Sequence, residues 1–397
     1  MFRIAYFEPV QGLNVYGREL LPHLAQLDEI DVYTDTDISA LDRVVSGDFP
    51  VRSFEEFKTK RDGYDQLVFQ VRNNPFHVPV YEALLAHGGV AVLHETKLVG
   101  ILGAKTLSRG RRLSFLKEVL ANEGAEACAH SAADLLLRRG SARASRYEMN
   151  RQAIRRSHGV IVHNRDAERQ LRSRYPTLPV CIVRRGVPPP RPFDLTATKG
   201  ALGLTGRFPI VASFGVINGR KRIGQALEAF AGITNEFPAA IYVLVGQPFE
   251  FDLEGIVARL GLAEHVLAPG RVDDETFNCY LAVTDIGINL RYPLEGETSS
   301  TALRIMSYCK PMLVTNAGSL AELPDSCTVK VDPGPDEVAQ VRDALLELAR
   351  RGGLRREIGS AALAHVRQHH TWERAAQTYH HFLEQLASLN GLHHSMR

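Results

Sequence analysis

The sequence lacks the features that would indicate a membrane-spanning, nucleic-acid-binding or disulfide-bonded protein. No run approaches the roughly 18 consecutive apolar residues of a transmembrane helix. The formal net charge is only +2, so bulk charge gives no support to nucleic-acid binding. The five cysteines are odd in number and scattered, without a C-x-x-C pair, which favours a reducing compartment and no structural metal. The opening MFRIAY indicates a strand rather than a signal peptide, so we expect a cytoplasmic protein.

The length and the spacing of apolar runs predict two α/β domains. A chain of 397 residues is too long for one core, and its short apolar runs alternate with helical patterns. Three consecutive prolines at 188–190 stiffen the chain and exclude both helix and central strand, so they mark a linker. We therefore expect a first domain over 1–190 and a second over 191–371. A last helix, within 372–397, should pack back on the first domain.

Strands in the first domain are expected at six places, each a short apolar run. These are residues 2–6, 30–33, 66–70, 90–93, 158–163 and 180–184. Polar residues follow several of the strand ends, and the carboxyl ends of parallel strands meet at one edge of a sheet. The sequence therefore predicts one common edge lined by Gly12, Asn14, Asn73, Asn74, His77, His94 and Glu95. Ordinary loop composition is the alternative explanation of this cluster.

The stretch 289–311, NLRYPLEGETSSTALRIMSYCKP, carries the most chemistry in the second half. It follows an apolar strand at 285–290 and leads through a polar turn into a helix. Thr298, Ser299 and Ser300 fall at the predicted cap and first turn, where free backbone amides attract anions. We expect a ligand-binding loop at the carboxyl end of a parallel strand.

A helical, arginine-rich insertion is predicted at about 100–156. Ten arginines fall within it, and they suit either a solvated helical surface or a basic patch. The patch, over 105–156, would serve an anionic acceptor or give peripheral contact with a membrane surface. The sequence leaves both interpretations open, and it does not indicate an oligomeric state.

Taken together, the motifs resemble those of family-4 glycosyltransferases of the GT-B fold. The resemblance covers almost the whole chain and is carried by PVQGLNVYGRELL, FQVRNNPFH, VAVLHE, FGVINGRKRIGQALEAF, IYVLVG, HVLAPGRV, TDIGINLRYPLEGETSSTALRIMSYCKP and VTNAGSLAELP. It implies two doubly wound Rossmann-like domains facing across a cleft. It also implies transfer of a sugar from a nucleotide-diphosphate donor, of the UDP- or GDP-hexose type, with retention at the anomeric carbon. Such enzymes normally need no bound metal or other cofactor.

The resemblance assigns the donor diphosphate to the loop after the strand at 210–214. Lys221 stands at the position of the family's diphosphate lysine, after the turn glycine Gly215. With no metal, protein cations must carry the charge of the departing diphosphate. Val216 replaces the family's usual arginine, so Arg220 or Arg222 is expected to supply the second cation.

The GETSS loop and the following helix depart from the family's paired-glutamate motif. Glu297 is assigned to a hydroxyl of the donor sugar, because a carboxylate can accept hydroxyl hydrogen bonds and discriminate sugars lacking them. Arg304 stands where the ribose-contacting glutamate would fall, so this chain lacks that carboxylate and Arg304 is assigned to the nucleotide instead. By resemblance, Thr298, Ser299 and Ser300 contact the diphosphate or sugar. Gly246, Arg271 and Val272 are assigned to the nucleotide.

In the first domain the resemblance assigns His94 a catalytic place near the transferred sugar. Gly12 would let the backbone approach the donor phosphate. His163 lies in an apolar run and is interpreted as a core histidine with satisfied hydrogen bonds. The acceptor-side candidates are Asn14, Tyr16, Asn73, Asn74, His77 and Glu95.

The mechanism that this predicts is same-face substitution onto an acceptor hydroxyl. No carboxylate nucleophile presents itself in the first-domain loops, as double displacement would require. A natural product, a saccharide and a glycolipid all fit as acceptor. The alternatives are a catalytically inactive sugar-nucleotide-binding subunit and a GT-B-like epimerase or phosphorylase. A dehydrogenase is disfavoured because no G-x-G-x-x-G follows a strand.

Overall fold

The chain forms two compact units, each built on a parallel β-sheet. The computed structural model describes residues 1–10, 13–35, 49–136 and 146–395. Unit 1 comprises Met1–Gly186, Glu295–Thr298 and Trp372–Arg397, and unit 2 comprises Val187–Leu294 and Ser299–Thr371. The α/β class with two doubly wound sheets is therefore confirmed.

The sheet of unit 1 is parallel throughout its described strands and has the order β3-β2-β1-β4-β5-β6-β7. Its strands are β1 (Arg3–Phe7), β2 (Glu29–Thr34), β3 (Val51–Ser53), β4 (Gln66–Val71), β5 (Gly89–Leu93), β6 (Ser157–Val162) and β7 (Val180–Ile182). The sequence did not predict β3, because three half-buried residues show no apolar pattern. Strand β7 ends at Ile182, two residues before the predicted end, which leaves the following arginines in a loop.

Helices flank both faces of this sheet. They are α1 (Arg18–Leu24), α2 (Phe54–Lys60), α3 (Val78–His87), α4 (Val99–Lys105), α5 (Arg112–Glu123), α6 (Ala125–Leu136), α7 (Arg151–Arg156) and α8 (Arg165–Arg174). The leucine spacing predicts one helix over about 16–27, whereas the α-helix is shorter and a π-helical turn, Leu13–Gly17, precedes it. Short 3₁₀ turns lie at Arg61–Gly63, Pro75–His77 and Leu107–Arg109.

The sheet of unit 2 is also parallel and has the order β10-β9-β8-β11-β12-β13. Its strands are β8 (Ile210–Phe214), β9 (Ile241–Val245), β10 (Val266–Gly270), β11 (Ile286–Asn289), β12 (Met312–Thr315) and β13 (Val329–Val331). Its helices are α9 (Leu195–Ala201), α10 (Ile223–Ala231), α11 (Leu253–Arg259), α12 (Asp274–Val283), α13 (Ser300–Ser307), α14 (Gly318–Ala321), α15 (Glu337–Arg350) and α16 (Gly352–His369). Short 3₁₀ turns lie at Gly219–Lys221 and Ala263–His265.

The last helix, α17 (Trp372–Ser395), completes the core of unit 1. Alternate residues of β1 point to opposite faces of the sheet, so Phe7 packs in one apolar cluster and Tyr6 in the other. Tyr379 and Leu383 of α17 belong to the Tyr6 cluster, together with α1. Helix α17 thus supplies, together with α1, the covering of one face of the first sheet. No helix within the described parts of the chain is both long and apolar enough to cross a bilayer.

Candidate active site

In unit 2 the loop after β8 folds a lysine back over the strand end. Gly215 follows β8 with φ of +85°, a left-handed conformation that favours glycine. The Lys221 ammonium donates to the Phe214 carbonyl oxygen over 2.7 Å. A Cβ on Gly215 would lie only 2.7 Å from the Lys221 Nζ, so the glycine makes room for the amine. Gly215 and Lys221, singled out from sequence, are therefore neighbours.

Gly246 lies directly beside this loop at the end of β9. A Cβ on Gly246 would lie 2.2 Å from the backbone oxygen of Gly215, which excludes any side chain there. The two glycines thus bring two strand ends together with no side chain between them. This open backbone edge is the kind of surface that a ligand of the α/β fold approaches.

The N-terminus of α13 presents hydroxyls at the same edge. Ser299 caps the helix, because its Oγ accepts from the Ala302 N–H over 3.3 Å. Its Oγ also donates to Asn289 Oδ1, whose Nδ2 donates to Thr301 Oγ1. The Thr301 methyl would lie 3.7 Å from a Cβ on Gly215, so the first turn of α13 faces the Gly215 loop. Ser300 opens the helix one position from the cap.

The electrostatics of this edge favour an anion. Burial, and after it the positive charge of Arg291, lower the pKa of Lys221 to about 7. Arg291 was not among the predicted site residues, although it opens the polar turn after β11. Its backbone N–H donates to Thr315 Oγ1 over 2.8 Å, which fixes it beside the end of β12. Two cations and free helix amides therefore lie near one strand edge.

The arginines expected to replace the family's missing one make other contacts. Arg222 has φ of +56° and pairs through its guanidinium with the buried carboxylate of Glu337, with Nε–Oε2 at 2.8 Å. Arg220 is exposed, and its Nη2 donates to the Pro293 carbonyl oxygen over 3.3 Å. The contact with Glu337 gives Arg222 a structural role at the start of α10.

Three residues assigned to the nucleotide lie on the surface of unit 2. Arg304 stacks over the Phe277 ring at 4.2 Å and donates to Asn278 Oδ1 over 2.8 Å. Arg271 is exposed directly after β10, and Val272 packs partly into the core. Their assignment to a nucleotide stays a prediction.

In unit 1 His94 lies in a buried ring cluster at the carboxyl end of β5. Its Nε2 lies 2.9 Å from Gln70 Oε1, and since an amide oxygen only accepts, the proton sits on Nε2. The Tyr16 ring meets it edge-on at 4.8 Å. Burial and the charge of Arg72 lower the pKa of His94 well below its ordinary value, so the ring is neutral at pH 7. Tyr16 itself is fully buried and shares a hydrogen bond with Tyr379 over 3.1 Å.

The acceptor-side candidates hold backbone in place. Asn73 Oδ1 accepts from the backbone of Gly100 and Ile101 at the start of α4. Asn74 caps the turn Pro75–His77 through the Phe76 N–H. Such capping fixes the backbone at these strand ends, and a binding role of the two side chains stays a prediction.

The remaining first-domain candidates are His77 and Glu95, which are buried or half-buried, and Gly12 and Asn14 of the first loop. His77 is buried with Nδ1 on the Gln70 carbonyl oxygen, and burial lowers its pKa to about 3. Glu95 accepts from the Asn73 N–H, and burial raises its pKa. Gly12 lies outside the described residues. Of Asn14 only the backbone, within the turn Leu13–Gly17, is described.

The segment Glu295–Thr298 belongs to unit 1 and is held by hydrogen bonds there. Asn164 Nδ2 donates to both the Gly296 carbonyl oxygen and Thr298 Oγ1 over 2.9 Å. Glu297 is buried, and its Oε2 accepts from the Glu295 N–H over 2.6 Å. The Glu297 carboxylate therefore braces its own loop, and its predicted contact with a sugar hydroxyl is not tested.

Five residues that the sequence did not single out for binding surround Tyr16. They are buried or half-buried at the carboxyl edge of the sheet of unit 1, and they are Glu8, Arg72, His163, Arg185 and Trp372. His163, expected to be satisfied, uses only Nδ1, which donates to the Val183 carbonyl oxygen over 2.8 Å, whereas Nε2 has no partner. We refer to these residues with Tyr16 as the Tyr16 cluster.

The arginine-rich insertion is only partly described. Arg109, Arg111 and Arg112 are exposed, next to the exposed Leu113. Arg138, Arg139 and Arg143 lie outside the described residues. A role of this surface in membrane or acceptor contact stays a prediction. Among the residues that the structure describes, no three His, Cys, Asp or Glu side chains are grouped to hold one metal ion.

One protein-family model matches part of the chain. Residues 196–363 match the family model described as "Glycosyl transferases group 1". This stretch lies within unit 2 except for Glu295–Thr298. No curated protein sequence matches the chain.

Comparison with solved structures covers nearly the whole chain. The Anabaena protein Alr3699/HepE in complex with UDP and glucose matches with a TM-score of 0.69 and 15% identity, over 97% of this chain and 100% of that one. Sucrose-phosphate synthase from Thermosynechococcus elongatus gives 0.65 and 15%, over 98% and 100%. WaaG, a glycosyltransferase of lipopolysaccharide biosynthesis, gives 0.64 and 15%, over 94% and 98%.

These comparisons confirm the predicted fold. At such low identity the structural likeness establishes the GT-B fold and not the reaction. The family model adds the group 1 glycosyltransferase domain in the part of the chain that carries Lys221 and α13. Together, the matching domain and the two-unit fold support a glycosyltransferase of the GT-B fold.

Proposed function

We propose that the chain is a retaining, family-4 type glycosyltransferase that moves a hexose from a nucleotide-diphosphate sugar to an acceptor hydroxyl. The observation that carries the proposal is the edge of unit 2, where Lys221 and the first turn of α13 lie beside Gly215 and Arg291 adds positive charge near Lys221. A diphosphate leaving group needs fixed positive charge as its bond to the sugar breaks. We assign the nucleotide and diphosphate of the donor to unit 2 and the acceptor to unit 1.

The donor that we propose is a UDP-hexose. The solved structures of the Anabaena protein contain UDP, UDP-glucose, or UDP with glucose. GDP-hexoses are the second candidate, because the residues after β10 would contact a base mainly through backbone. Lys221 and Arg291 replace a metal ion in this proposal. Five free cysteines and the composition suit a cytoplasmic location.

The reaction that we propose is substitution on one face of the sugar. The acceptor oxygen bonds to the anomeric carbon while the bond from that carbon to the diphosphate oxygen breaks. The acceptor proton passes to the departing phosphate oxygen, so no protein carboxylate is needed as nucleophile. The protein contributes positioning and charge stabilisation. His94, neutral with its proton on Nε2, orients the reactants, and Glu297 holds a sugar hydroxyl once the donor is bound.

The proposal is tested in two steps with the purified chain. A thermal-shift screen against UDP-, GDP- and dTDP-hexoses identifies the donor, because a ligand of the native state raises its melting temperature. Nucleotide release is then measured with and without a panel of acceptors, and the product's anomeric configuration is determined by NMR. Acceptor-dependent release with retained configuration is expected.

Other outcomes would select the alternatives. Donor binding without any cleavage, under every acceptor, would indicate an inactive binding subunit. Conversion of the sugar without acceptor-dependent nucleotide release would indicate an epimerase. Inverted configuration in the product would reject the same-face mechanism while leaving glycosyl transfer in place.

A further inference from the structure

The Tyr16 cluster is a concentration of buried polar atoms that the protein itself does not satisfy. Five side-chain atoms are buried without a hydrogen-bond partner within the protein: Glu8 Oε1, Arg72 Nε, Arg72 Nη2, His163 Nε2 and Trp372 Nε1. Glu8, His163 and Trp372 are each more than nine-tenths buried. Such atoms are costly to leave unpaired, so their grouping in one place indicates a function.

The ring of Tyr16 brings these residues together. The guanidinium carbons of Arg185 and Arg72 lie 5.0 and 5.8 Å from its centroid. The rings of Trp372 and His163 lie 5.4 and 5.6 Å from it. The strands explain the convergence, since Glu8, Arg72 and His163 directly follow β1, β4 and β6. The parallel sheet brings these strand ends to one edge.

The charges of the cluster favour an anion. Two guanidinium groups share a largely buried place, and one carboxylate, Glu8, faces them. Burial raises the pKa of Glu8 to about 7, although Arg72 opposes the shift. Burial and the nearby Arg72 lower the pKa of Arg185 to about 10, which leaves it charged at pH 7. The cluster therefore holds net positive charge in a site of low polarity.

The unpaired atoms indicate which hydrogen-bonding groups the anion must have besides its charge. Arg72 and Trp372 offer N–H donors to oxygen atoms of a ligand. His163 donates from Nδ1 to Val183, so in the neutral ring its Nε2 is an acceptor and calls for a ligand hydroxyl. Glu8 Oε1 can accept a second hydroxyl. Donors for an anionic group beside acceptors for hydroxyls match a hydroxylated acid such as a sugar acid or sugar phosphate.

We propose that the Tyr16 cluster binds the acceptor, and that the acceptor is a hydroxylated molecule with a phosphate or carboxylate group held by Arg72 and Arg185. Arginine suits this role because its planar fork binds both oxyanion types in a bidentate manner. The inference rests on the proposed function only in naming the ligand as the acceptor. Binding of the anion itself can be measured without any donor.

Trp372 provides the readout, because it is the single tryptophan of the chain and lies in the cluster. Glucose 6-phosphate, glucuronic acid, glucose and inorganic phosphate are titrated separately into the full-length protein while Trp372 emission is recorded. We expect saturable emission changes with at least one of the two anionic sugars, and affinity at least ~10-fold weaker for glucose. The two anionic sugars distinguish phosphate from carboxylate.

Variants make the test specific. Arg72→Gln should weaken binding of the anionic sugar at least ~10-fold, and Arg72→Lys should restore part of the loss. Arg169→Gln removes an equal charge from an exposed position of α8 and should change nothing. Circular dichroism and the melting temperature check that each variant is folded. Should Arg72→Gln fail to fold, the Arg72→Lys variant and the salt dependence of wild-type binding carry the test.

Several outcomes would overturn the inference. They are no emission change with either anionic sugar at millimolar concentrations, equal affinity for glucose, or unchanged binding by Arg72→Gln. If inorganic phosphate binds as tightly as the sugar phosphate, the cluster binds an adventitious ion only and does not recognise the sugar. Arg72-dependent binding without nucleotide release under any acceptor would support the anion site and reject the proposed transfer. Nucleotide release to neutral acceptors that Arg72→Gln does not change would support the proposed transfer and reject the anion site.

Discussion

One side chain in each unit is buried enough that its pKa lies near neutral pH, and its charge therefore changes within an accessible pH range. Lys221 in unit 2 and Glu8 in unit 1 both have pKa values of about 7, reached from opposite directions. Desolvation disfavours the charged form of each, which lowers the pKa of an amine and raises that of a carboxyl. Two measurable consequences follow at this scale, one for activity and one for stability.

Lys221→Ala should lower turnover by about 10²-fold or more, because the variant loses the ammonium that would stabilise the leaving diphosphate. Below pH 7 the wild-type ammonium is charged, and above it the charge is lost, so kcat/KM for the donor should fall as pH rises through about 7. The variant should lack this fall. Initial rates of nucleotide release between pH 6 and about 9 provide the measurement.

The matched control is Lys330→Ala, which removes a lysine from β13 that pairs with Asp325. It should leave the rates and their pH dependence unchanged. Turnover of Lys221→Ala equal to that of the wild type would reject the assignment of Lys221 to the diphosphate.

Glu8→Gln should stabilise unit 1 at alkaline pH. The folded pKa of Glu8 is raised to about 7 from an ordinary 4.5, so the folded state favours the protonated carboxyl. This contribution is fully present below the ordinary value, is lost as pH rises toward about 7, and stays lost above it. Glutamine mimics the neutral form and avoids the loss, which amounts to at most about 3 kcal/mol for this shift.

The free energy of unfolding is measured by denaturant titration, with Trp372 emission as the signal, at pH 4.5 and at about pH 8. The groups that face Glu8 are Tyr6 on its own strand, Tyr16, Arg72, Arg185 and Tyr379. All of these remain in the variant, so the comparison isolates the carboxyl. A variant that is equally or less stable than the wild type at both pH values would contradict the account.

At the scale of elements, much could be predicted from sequence because strand ends and helix caps leave local patterns. Strand β8 matches its predicted bounds, and Ser299 is the predicted kind of cap. Side-chain partners far apart in sequence leave no such pattern. The pairing of Arg222 with Glu337 is one example, and it gives a candidate of the diphosphate loop a structural contact.

The Tyr16 cluster shows the same limit more clearly. Arg185 was interpreted as following a longer strand, and Trp372 as merely the start of a last helix. Only the folded chain brings both against the ring of Tyr16. Conversely, Lys221 and Gly215 could be paired from sequence because both lie in one short loop with a family motif. Local sites were thus predictable, whereas the site assembled by α17 was not.

The docking of α17 can be tested at Gly186. A Cβ there would lie 2.4 Å from the Trp372 ring and 2.8 Å from the Trp372 backbone nitrogen. Gly186→Ala should therefore displace the start of α17 and destabilise unit 1 by about 1–3 kcal/mol, since backbone cannot yield as a flexible side chain does. Trp372 emission should move to longer wavelength as the ring becomes more exposed.

The control is Gly103→Ala in α4, where a Cβ would meet nothing within 4 Å. Alanine favours helix over glycine, so this variant should be neutral or slightly more stable. Both variants are compared by thermal melts followed by circular dichroism and by fluorescence. An unchanged melting temperature and emission in Gly186→Ala would show that the approach to Trp372 is not as tight as described.

At the scale of the whole molecule, each unit has its own apolar cores. Those of unit 1 draw on α17, and those of unit 2 lie within residues 187–366. Trp372 emission reports on unit 1 alone, while far-ultraviolet circular dichroism reports on both units. The two signals can therefore follow the unfolding of different parts of one chain.

UDP should raise the unfolding midpoint of the part seen by circular dichroism and leave the Trp372 transition in place. A ligand stabilises the unit that binds it, by an amount that grows with its concentration over Kd. Parallel denaturant titrations with and without UDP, followed by both signals, make the measurement. Coincident shifts in the two signals would show that the units unfold as one cooperative body.

The position of α17 also sets an order of events during synthesis. Unit 1 is formed mostly from residues 1–186, but α17, which together with α1 covers one face of its sheet, is encoded after unit 2. On the ribosome, therefore, that face of the first sheet stays partly uncovered while unit 2 emerges and can fold. The later-made unit is then the first to be completed, and the nascent first unit exposes apolar residues such as Leu20 and Val92 until residues 372–386 leave the exit tunnel.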